Sequence, residues 1–308
     1  MAPPSREGAR PGILPRCRPA PFGPGRDESR IEPMARTALV LGAGDAVGVA
    51  WQAGVLAGLA DAGFDLGADR VIGTACGALL AARLTSGVPA QRLAETIGGE
   101  LVGSPPVPWT ARLRMASVAW HPSHRRAVQA IGLSSMRRWN RAWQSQWVGW
   151  VAPELAGKPW PGTLVIVASN AVTGRPMYFT SDQPVDLATA VAASWAVPGV
   201  QPAVRVEAEW SIDGRLRTPL NLDIAAGFDS ILAVSPRAGL GDLRRCEAWQ
   251  ARGLRGEGCT VRRVQPDVSS RLAMRAQAGL GQGVSMIVAS GHRQGRTFGE
   301  QLAGHWPG

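Results

Sequence analysis

The sequence predicts an α/β domain with a central, mostly parallel β-sheet. Apolar segments of strand length alternate with longer stretches at helical spacing, and two of the strands run through glycine-rich turns directly into helices. Successive strands also lie far apart in the chain, as crossover connections between parallel strands require. Of the 308 residues, 45% are hydrophobic and 18% are charged, which is enough apolar surface for a sizeable core.

The elements follow in order from the apolar pattern and its turn residues. They are a strand at 37–42, a helix at 49–62, a strand at 70–73, a helix at 78–86, and strands at 163–169 and 230–235. A turn at Thr173-Gly174 predicts a hairpin that pairs Val165–Asn170 with Pro176–Thr180.

The two ends of the chain are predicted to lie outside the folded domain at 34–300. Residues 1–33 hold eight of the 24 prolines and six arginines, with almost no apolar periodicity. They are either a disordered tail or a mis-assigned start ahead of Met34, and the second interpretation is favoured. Residues 301–308 are predicted to be a C-terminal tail.

The formal charge of +10 comes almost entirely from arginine, since Lys158 is the only lysine. Such a charge suits nucleic acid or an anionic membrane, but no nucleic-acid reader module is recognisable, so no specific nucleic-acid partner is expected. The four cysteines and four histidines match no metal-ligand spacing, so neither a metal nor another cofactor is expected. Without a signal peptide or an apolar spanning segment, a cytoplasmic protein with reduced thiols is predicted.

Residues 105–150 have an unusual composition, with seven arginines, no acidic residue and six of the 12 tryptophans. Trp139, Trp143 and Trp147 recur every four residues, which predicts that they share one helix face. A basic helix with a tryptophan face suits peripheral contact with a membrane or the entrance of an acyl-chain pocket. The alternative is that the tryptophans pack on the core.

Two glycine-rich turns between a strand and a helix are candidates for chemistry. The first is Leu41-Gly-Ala-Gly-Asp-Ala-Val-Gly48, which suits a dinucleotide-phosphate loop through Gly42, Gly44 and Gly48, an oxyanion hole, or a structural turn. The second is Gly73-Thr-Ala-Cys-Gly77, which has the glycine spacing of a nucleophile elbow.

A third candidate segment begins at Asp213-Gly214 and continues into Thr218-Pro-Leu220. Taken alone it predicts a tight turn near a strand end. The order and spacing of the three segments together indicate more about function than any one segment does.

Over residues 36–295 the sequence resembles the patatin-like phospholipase family, especially its bacterial members. The family carries a G-G-G-x-x-G oxyanion loop, a G-T-S-A-G elbow with the nucleophilic serine, and an Asp-Gly-Gly or Asp-Gly-Ala motif. The segment Ala193-Ser-Trp-Ala-Val-Pro-Gly199 also resembles the one that precedes the family's aspartate. The resemblance implies a three-layer α/β/α fold and lipid acyl hydrolysis by a Ser-Asp dyad.

The departures from the family pattern concern its chemistry. Ala75 occupies the nucleophile position between the elbow glycines Gly73 and Gly77, so that only Asp213 of the dyad remains. In the oxyanion loop, which begins at Ala43 and Gly44, only Gly44 and Gly48 match, and Asp45 places a carboxylate where an oxyanion should be stabilised. Arg215 stands where the family has glycine or alanine, and Asp213 is expected to pair with it or with another local arginine.

The resemblance and these departures together predict a catalytically inactive family member that retains a lipid or acyl-binding pocket. The main alternative is an active lipid acyl hydrolase that uses Cys76 or Thr74 as its nucleophile. A dinucleotide-binding protein is a minor alternative, because no acidic residue follows the second strand to hold a ribose.

Overall fold

The structure is a computed structural model that describes residues 35–100, 107–118, 121–137, 139–236, 241–276 and 283–302. The predicted N-terminal tail at 1–33 lies outside these ranges, as does most of the predicted C-terminal tail at 301–308.

An eight-stranded sheet lies at the centre of the described residues. Its strands are β1 (Thr37–Leu41), β2 (Arg70–Thr74), β3 (Leu164–Asn170), β4 (Pro176–Phe179), β5 (Val204–Val206), β6 (Glu209–Ile212), β7 (Ser230–Val234) and β8 (Thr260–Val264). The strand order is β5-β6-β3-β2-β1-β7-β8, and β4 pairs with β3. The pairs β1–β2, β1–β7, β2–β3 and β7–β8 are parallel. The prediction of a mostly parallel sheet is therefore confirmed.

The antiparallel part of the sheet is formed by β3, β4, β5 and β6. The predicted hairpin is its β3–β4 pair, in which Ile166 faces Phe179 and Ser169 faces Pro176. The strands β5, β6 and β8 were not predicted. This half of the sheet matters because β6 leads directly into Asp213.

Helices cover both faces of the sheet. They are α1 (Ala46–Asp61), α2 (Cys76–Thr85), α3 (Ala90–Glu100), α4 (Trp109–Ser117), α5 (His124–Met136), α6 (Arg141–Val151), α7 (Leu187–Ser194), α8 (Gly241–Gly256), α9 (Val268–Ala276) and α10 (Val284–Leu302). Alternate strand residues such as Leu39 and Leu41 pack against α1, α2 and α7, whereas Ala38 and Val40 pack on the opposite face with residues of α8. The predicted three-layer α/β/α arrangement is confirmed.

The helix α1 is buried along most of its length because α10 packs against it at very short range. A Cβ atom on Gly58 would overlap the carbonyl of His292, and one on Gly295 would overlap the carbonyl of Val55. Glycine at these positions lets the two backbones touch. The helix that follows the first glycine-rich turn is thereby held in the interior.

The structure corrects two helix boundaries and one predicted face. The helix α1 begins at Ala46 rather than residue 49, and α2 begins at Cys76 rather than residue 78. Because Asn140 caps α6 through its side-chain oxygen, that helix begins at Arg141 and excludes Trp139. The predicted face of three tryptophans on one helix is therefore wrong. No helix among the described residues is long and apolar enough to cross a membrane.

Candidate functional site

The two glycine-rich turns and the Asp213 turn meet at the carboxyl ends of β1 and β2 and at the end of β6. The strands β1 and β2 are parallel neighbours, so the turns that follow them lie at the same edge of the sheet. Open α/β sheets bind ligands at this edge. The three segments singled out in the sequence are thus brought together.

The turn after β2 has the geometry of a nucleophile elbow. Ala75 has φ 53° and ψ −121°, a backbone conformation that is costly for a residue with a side chain. A Cβ on Gly77 would overlap the carbonyl of Leu41, and one on Gly73 would lie 2.5 Å from the Cα of Ala78. Both elbow glycines are therefore required by close backbone contacts, one of them with the first loop.

Ser194 stabilises the elbow through two hydrogen bonds. The amide of Ala75 donates to its hydroxyl at 2.8 Å, and that hydroxyl donates to the carbonyl of Val167 at 2.6 Å. Ser194 is fully buried at the end of α7. Ser194 therefore links the elbow to β3. No motif in the sequence indicated this role.

The backbone of the first loop is largely committed to other parts of the protein. The amide of Gly42 donates to Val234 at 2.9 Å and that of Ala43 to Pro219 at 2.7 Å. The buried amide of Gln52 donates in turn to the carbonyl of Gly42 at 3.3 Å. The amides of Gly42 and Ala43 are therefore not available to donate to the phosphates of a dinucleotide.

Asp45 begins α1 as its N-cap. Its Oδ1 accepts from the amide of Gly48 at 3.3 Å, and its Oδ2 lies 3.5 Å from the guanidinium of Arg112 on α4. The carboxylate therefore occupies the positive end of the helix, where a phosphate or an oxyanion would otherwise bind.

Asp213 is fully buried, and both of its carboxylate oxygens contact Arg215. The amide of Arg215 donates to Oδ1 at 2.8 Å, and its Nε lies 2.8 Å from Oδ2 in an ion pair. The expected pairing of Asp213 with a local arginine is confirmed. Burial disfavours the charged guanidinium, but Asp213, Cys76 and Asp45 together outweigh this and raise the pKa of Arg215 above its ordinary value.

Arg215 also reaches the first loop, where its Nη2 donates to the carbonyl of Gly44 at 2.7 Å. The guanidinium is almost completely buried. One side chain thus joins the aspartate turn to the loop after β1.

Asn221 links the aspartate turn to the elbow. Its side-chain amide donates to the hydroxyl of Thr74 at 3.1 Å and to the carbonyl of Gly214 at 3.4 Å. The residue is fully buried and has φ 50° and ψ 40°, in the left-handed region that asparagine adopts more readily than most residues. In the sequence, only the position of Asn221 directly after Thr218-Pro-Leu220 could have indicated this linking role.

Cys76 is fully buried at the start of α2. Burial raises the pKa of its thiol to about 12, although the Arg215 guanidinium acts in the opposite direction. The thiol is therefore fully protonated near neutral pH.

The tryptophans of residues 105–150 divide between the core and the surface. The indole of Trp147 is buried and donates to the carbonyl of Ala192 on α7 at 2.9 Å. Trp109, in contrast, is 72% exposed, and Leu113 four residues later on the same face of α4 is 58% exposed. Packing of the tryptophans on the core thus describes Trp147 but not Trp109, and membrane contact stays a prediction.

The chain is similar to two proteins of known structure. The chain is similar to VipD from Legionella pneumophila, with 13% identity over 87% of this chain and 67% of that one, at a TM-score of 0.43. It is also similar to the type III effector protein ExoU, with 18% identity over 86% of this chain and a TM-score of 0.37. This chain spans 54% of the ExoU chain. No curated protein matches it.

A family model described as Patatin-like phospholipase matches residues 39–226, which is more than half of the chain. The match contains the glycine-rich loop, the elbow and the Asp213 turn. The chain therefore belongs to the patatin-like phospholipase family.

Proposed function

We propose that this family member binds lipid without hydrolysing its ester bonds. The observation that carries the proposal is the buried ion pair between Asp213 and Arg215, formed beside an elbow whose central residue is Ala75. The proposal has a catalytic half and a lipid-binding half, which rest on different observations.

The catalytic half begins with Ala75, whose methyl group has no lone pair with which to attack an ester. Loss of the nucleophile from a serine hydrolase costs about a million-fold in turnover. Poor stabilisation of the oxyanion costs roughly a further 10²–10³-fold. Here the amides of Gly42 and Ala43 donate to carbonyls of the protein, and Asp45 puts negative charge at the start of α1.

Asp213 is also poorly placed to act as a base. One of its oxygens accepts from the backbone amide of Arg215 and the other is ion-paired with the Arg215 guanidinium, so neither is directed toward a proton on a nucleophile or on water. Because Arg215 also binds the carbonyl of Gly44, its side chain fills space between the aspartate and the loop.

The alternative of an active hydrolase that uses Cys76 is less well supported. With its pKa raised to about 12, roughly one thiol in 10⁵ is ionised at pH 7. Thr74 is fully buried, and its hydroxyl accepts a hydrogen bond from Asn221. A measurable parent activity that disappears in Cys76→Ala would favour this alternative.

The lipid-binding half rests on α4. Trp109 and Leu113 project from one face of this helix, and Arg112 and Arg114 lie exposed beside them. An apolar stripe flanked by arginines favours insertion at the interface of an anionic membrane. We therefore propose a cytoplasmic protein in peripheral contact with the membrane through residues 105–150. In the reducing cytoplasm its cysteines would remain thiols.

The test of the catalytic half compares four purified proteins on medium- and long-chain acyl esters: the parent, Ala75→Ser, Arg215→Ala and the double variant. We expect no turnover by the parent or by either single variant. The double variant should gain activity, because serine restores the nucleophile and removal of the guanidinium frees Asp213. Arg126→Ala, at an exposed arginine on α5, is the matched control for loss of an arginine.

Each variant is first checked for cooperative thermal unfolding, so that a misfolded protein is not counted as inactive. Clear turnover by the parent would overturn the proposal. Activity of Ala75→Ser equal to that of the double variant would show that Arg215 does not obstruct the site.

A further inference from the structure

A cleft of about 570 Å³ lies between the start of α6 and the β5–β6 hairpin. It is lined by Trp139, Arg141, Gln144, Ser145, Arg205 and Glu207. None of these residues belongs to the site described above, although β6 leads into Asp213.

The wall of the cleft is held in place by Gln144. Its side-chain amide donates to the carbonyl of Arg205 at 3.0 Å, and its oxygen accepts from the amide of Arg205 at 2.9 Å. The same oxygen accepts from the indole of Trp139 at 2.7 Å. Because the amide satisfies both backbone groups of Arg205, it fixes α6 to the edge strand β5.

Aromatic contacts stabilise the same wall. The rings of Trp139 and Trp210 meet edge to face at a centroid distance of 5.3 Å. The guanidinium of Arg205 lies over the Trp210 ring, 5.8 Å from its centroid. Three of the lining side chains, Trp139, Gln144 and Arg205, are therefore held in place by contacts within the protein.

The cleft contains charges of both signs that do not neutralise each other. Arg141 and Arg205 contribute positive charge, and Arg141 is the first residue of α6, where the helix dipole adds to it. Glu207 contributes negative charge. The Nε of Arg205 donates to the backbone carbonyl of Glu207 at 3.1 Å, whereas the Glu207 carboxylate forms no ion pair with either arginine. Unlike charges that line one cleft without an ion pair between them fit a ligand that carries both signs.

The hairpin sets the backbone conformation of Glu207. Val206 pairs with Glu209, so that Glu207 and Ala208 form the turn of the hairpin. Glu207 has φ 52°, in a region where glycine or asparagine is favoured and glutamate is rare. The turn accounts for this φ, because the central residues of two-residue hairpin loops adopt positive φ.

We propose that this cleft binds a zwitterionic phosphodiester of the phosphocholine type. Its phosphate is held by the guanidinium groups of Arg141 and Arg205. Its quaternary ammonium group is held by the Glu207 carboxylate and the Trp139 ring, since aromatic rings attract such cations. The inference rests on the proposed lipid binding, because it names the headgroup class of the bound lipid.

The test measures binding of water-soluble glycerophosphocholine to the full chain by calorimetry, beside inorganic phosphate and choline as separate probes. We expect millimolar or tighter binding of glycerophosphocholine, and binding of each half alone that is at least about 10-fold weaker. Phosphatidylcholine vesicles added as competitors then separate the two sources of the headgroup. Displacement identifies a membrane lipid, and its absence identifies a free diester.

Two variants test the roles of the charges. Glu207→Asn should weaken glycerophosphocholine binding about 10-fold and leave phosphate binding unchanged, while its thermal stability is equal to or above the parent's, because asparagine tolerates positive φ. Arg141→Gln should weaken binding of both probes. Glu209→Gln and Arg126→Gln, at exposed positions outside the cleft, are the matched controls.

Equal affinity for phosphate and glycerophosphocholine, or the absence of any binding at tens of millimolar, would overturn the inference. Neither result bears on ester hydrolysis or on binding to anionic vesicles. Failure at the cleft is therefore distinguishable from failure of the proposed function.

Discussion

The guanidinium of Arg215 binds the carboxylate of Asp213 and the carbonyl of Gly44 at the same time, with an Nη2–oxygen distance of 2.7 Å for the second contact. One side chain therefore joins the turn that follows β6 to the loop that follows β1. A permanently charged group in this position stabilises the carboxylate as an ion, which makes the pair a structural element of the interior.

The first prediction concerns the cost of breaking this pair. Asp213→Asn leaves the buried guanidinium without its counter-ion, and we expect it to lower the free energy of unfolding by about 3–5 kcal/mol. The double variant Asp213→Asn/Arg215→Gln should lose less than the sum of the two single variants, because it removes both charges. Urea unfolding of the four proteins gives the coupling energy, and additive losses would contradict a direct interaction.

The second prediction concerns Cys76. Since its pKa is raised to about 12 by burial, alkylation by iodoacetamide should stay negligible from pH 7 to 9, and ionisation should begin only as the pH approaches 12. Mass spectrometry of the labelled peptides provides the measurement, with the half-buried Cys246 as the internal comparison. Labelling of Cys76 in the native protein as fast as Cys246 would show that the thiol is accessible and reactive.

The third prediction concerns the contact between α1 and α10. Gly295→Ala should destabilise the protein by at least about 1–3 kcal/mol, because the new methyl group overlaps the carbonyl of Val55. Gly253→Ala on α8 is the control, since nothing lies within 4 Å of its added Cβ. That change should stabilise the protein by up to about 1 kcal/mol through helix propensity. Thermal melting compares them, and equal stabilities would argue against the close packing.

The fourth prediction concerns the exposed face of α4. Trp109→Ser/Leu113→Ser should reduce sedimentation with phosphatidylglycerol vesicles at least about 10-fold, because both side chains lose their contribution to insertion. A second exposed apolar pair at the same spacing lies on α9, where Val268 is 66% and Leu272 is 60% exposed. Serine at both of those positions should leave binding unchanged. If the α9 variant loses binding instead, the contact surface lies there.

Much of the fold could be predicted because periodicity is a local signal. The strands β1, β3 and β7 contain continuous apolar runs, as expected for strands buried on both faces of a parallel sheet. The strand β8 was missed because Arg262 and Arg263 interrupt its apolar pattern. The start of α6 could have been predicted from its cap. Asn140 is a favoured N-cap residue, and its position excludes Trp139 from the helix.

The sequence predicted the turns of the site, but it did not predict the residues that hold these turns in place. Glycine spacing located the elbow around Ala75, and the order of the segments located Asp213. Ser194 and Asn221 support the same turns through hydrogen bonds that span 119 and 147 positions. No local pattern in a single sequence encodes such partners, because the pairing is created only when the sheet assembles.

The position of β7 and α10 has a practical consequence for anyone who shortens this protein. The family match ends at residue 226, yet β7 lies beside β1 in the middle of the sheet and α10 covers α1. A polypeptide cut at that boundary would lose the neighbours of its first strand and first helix. It would expose a hydrophobic seam and aggregate, so a stable recombinant fragment has to extend through Leu302.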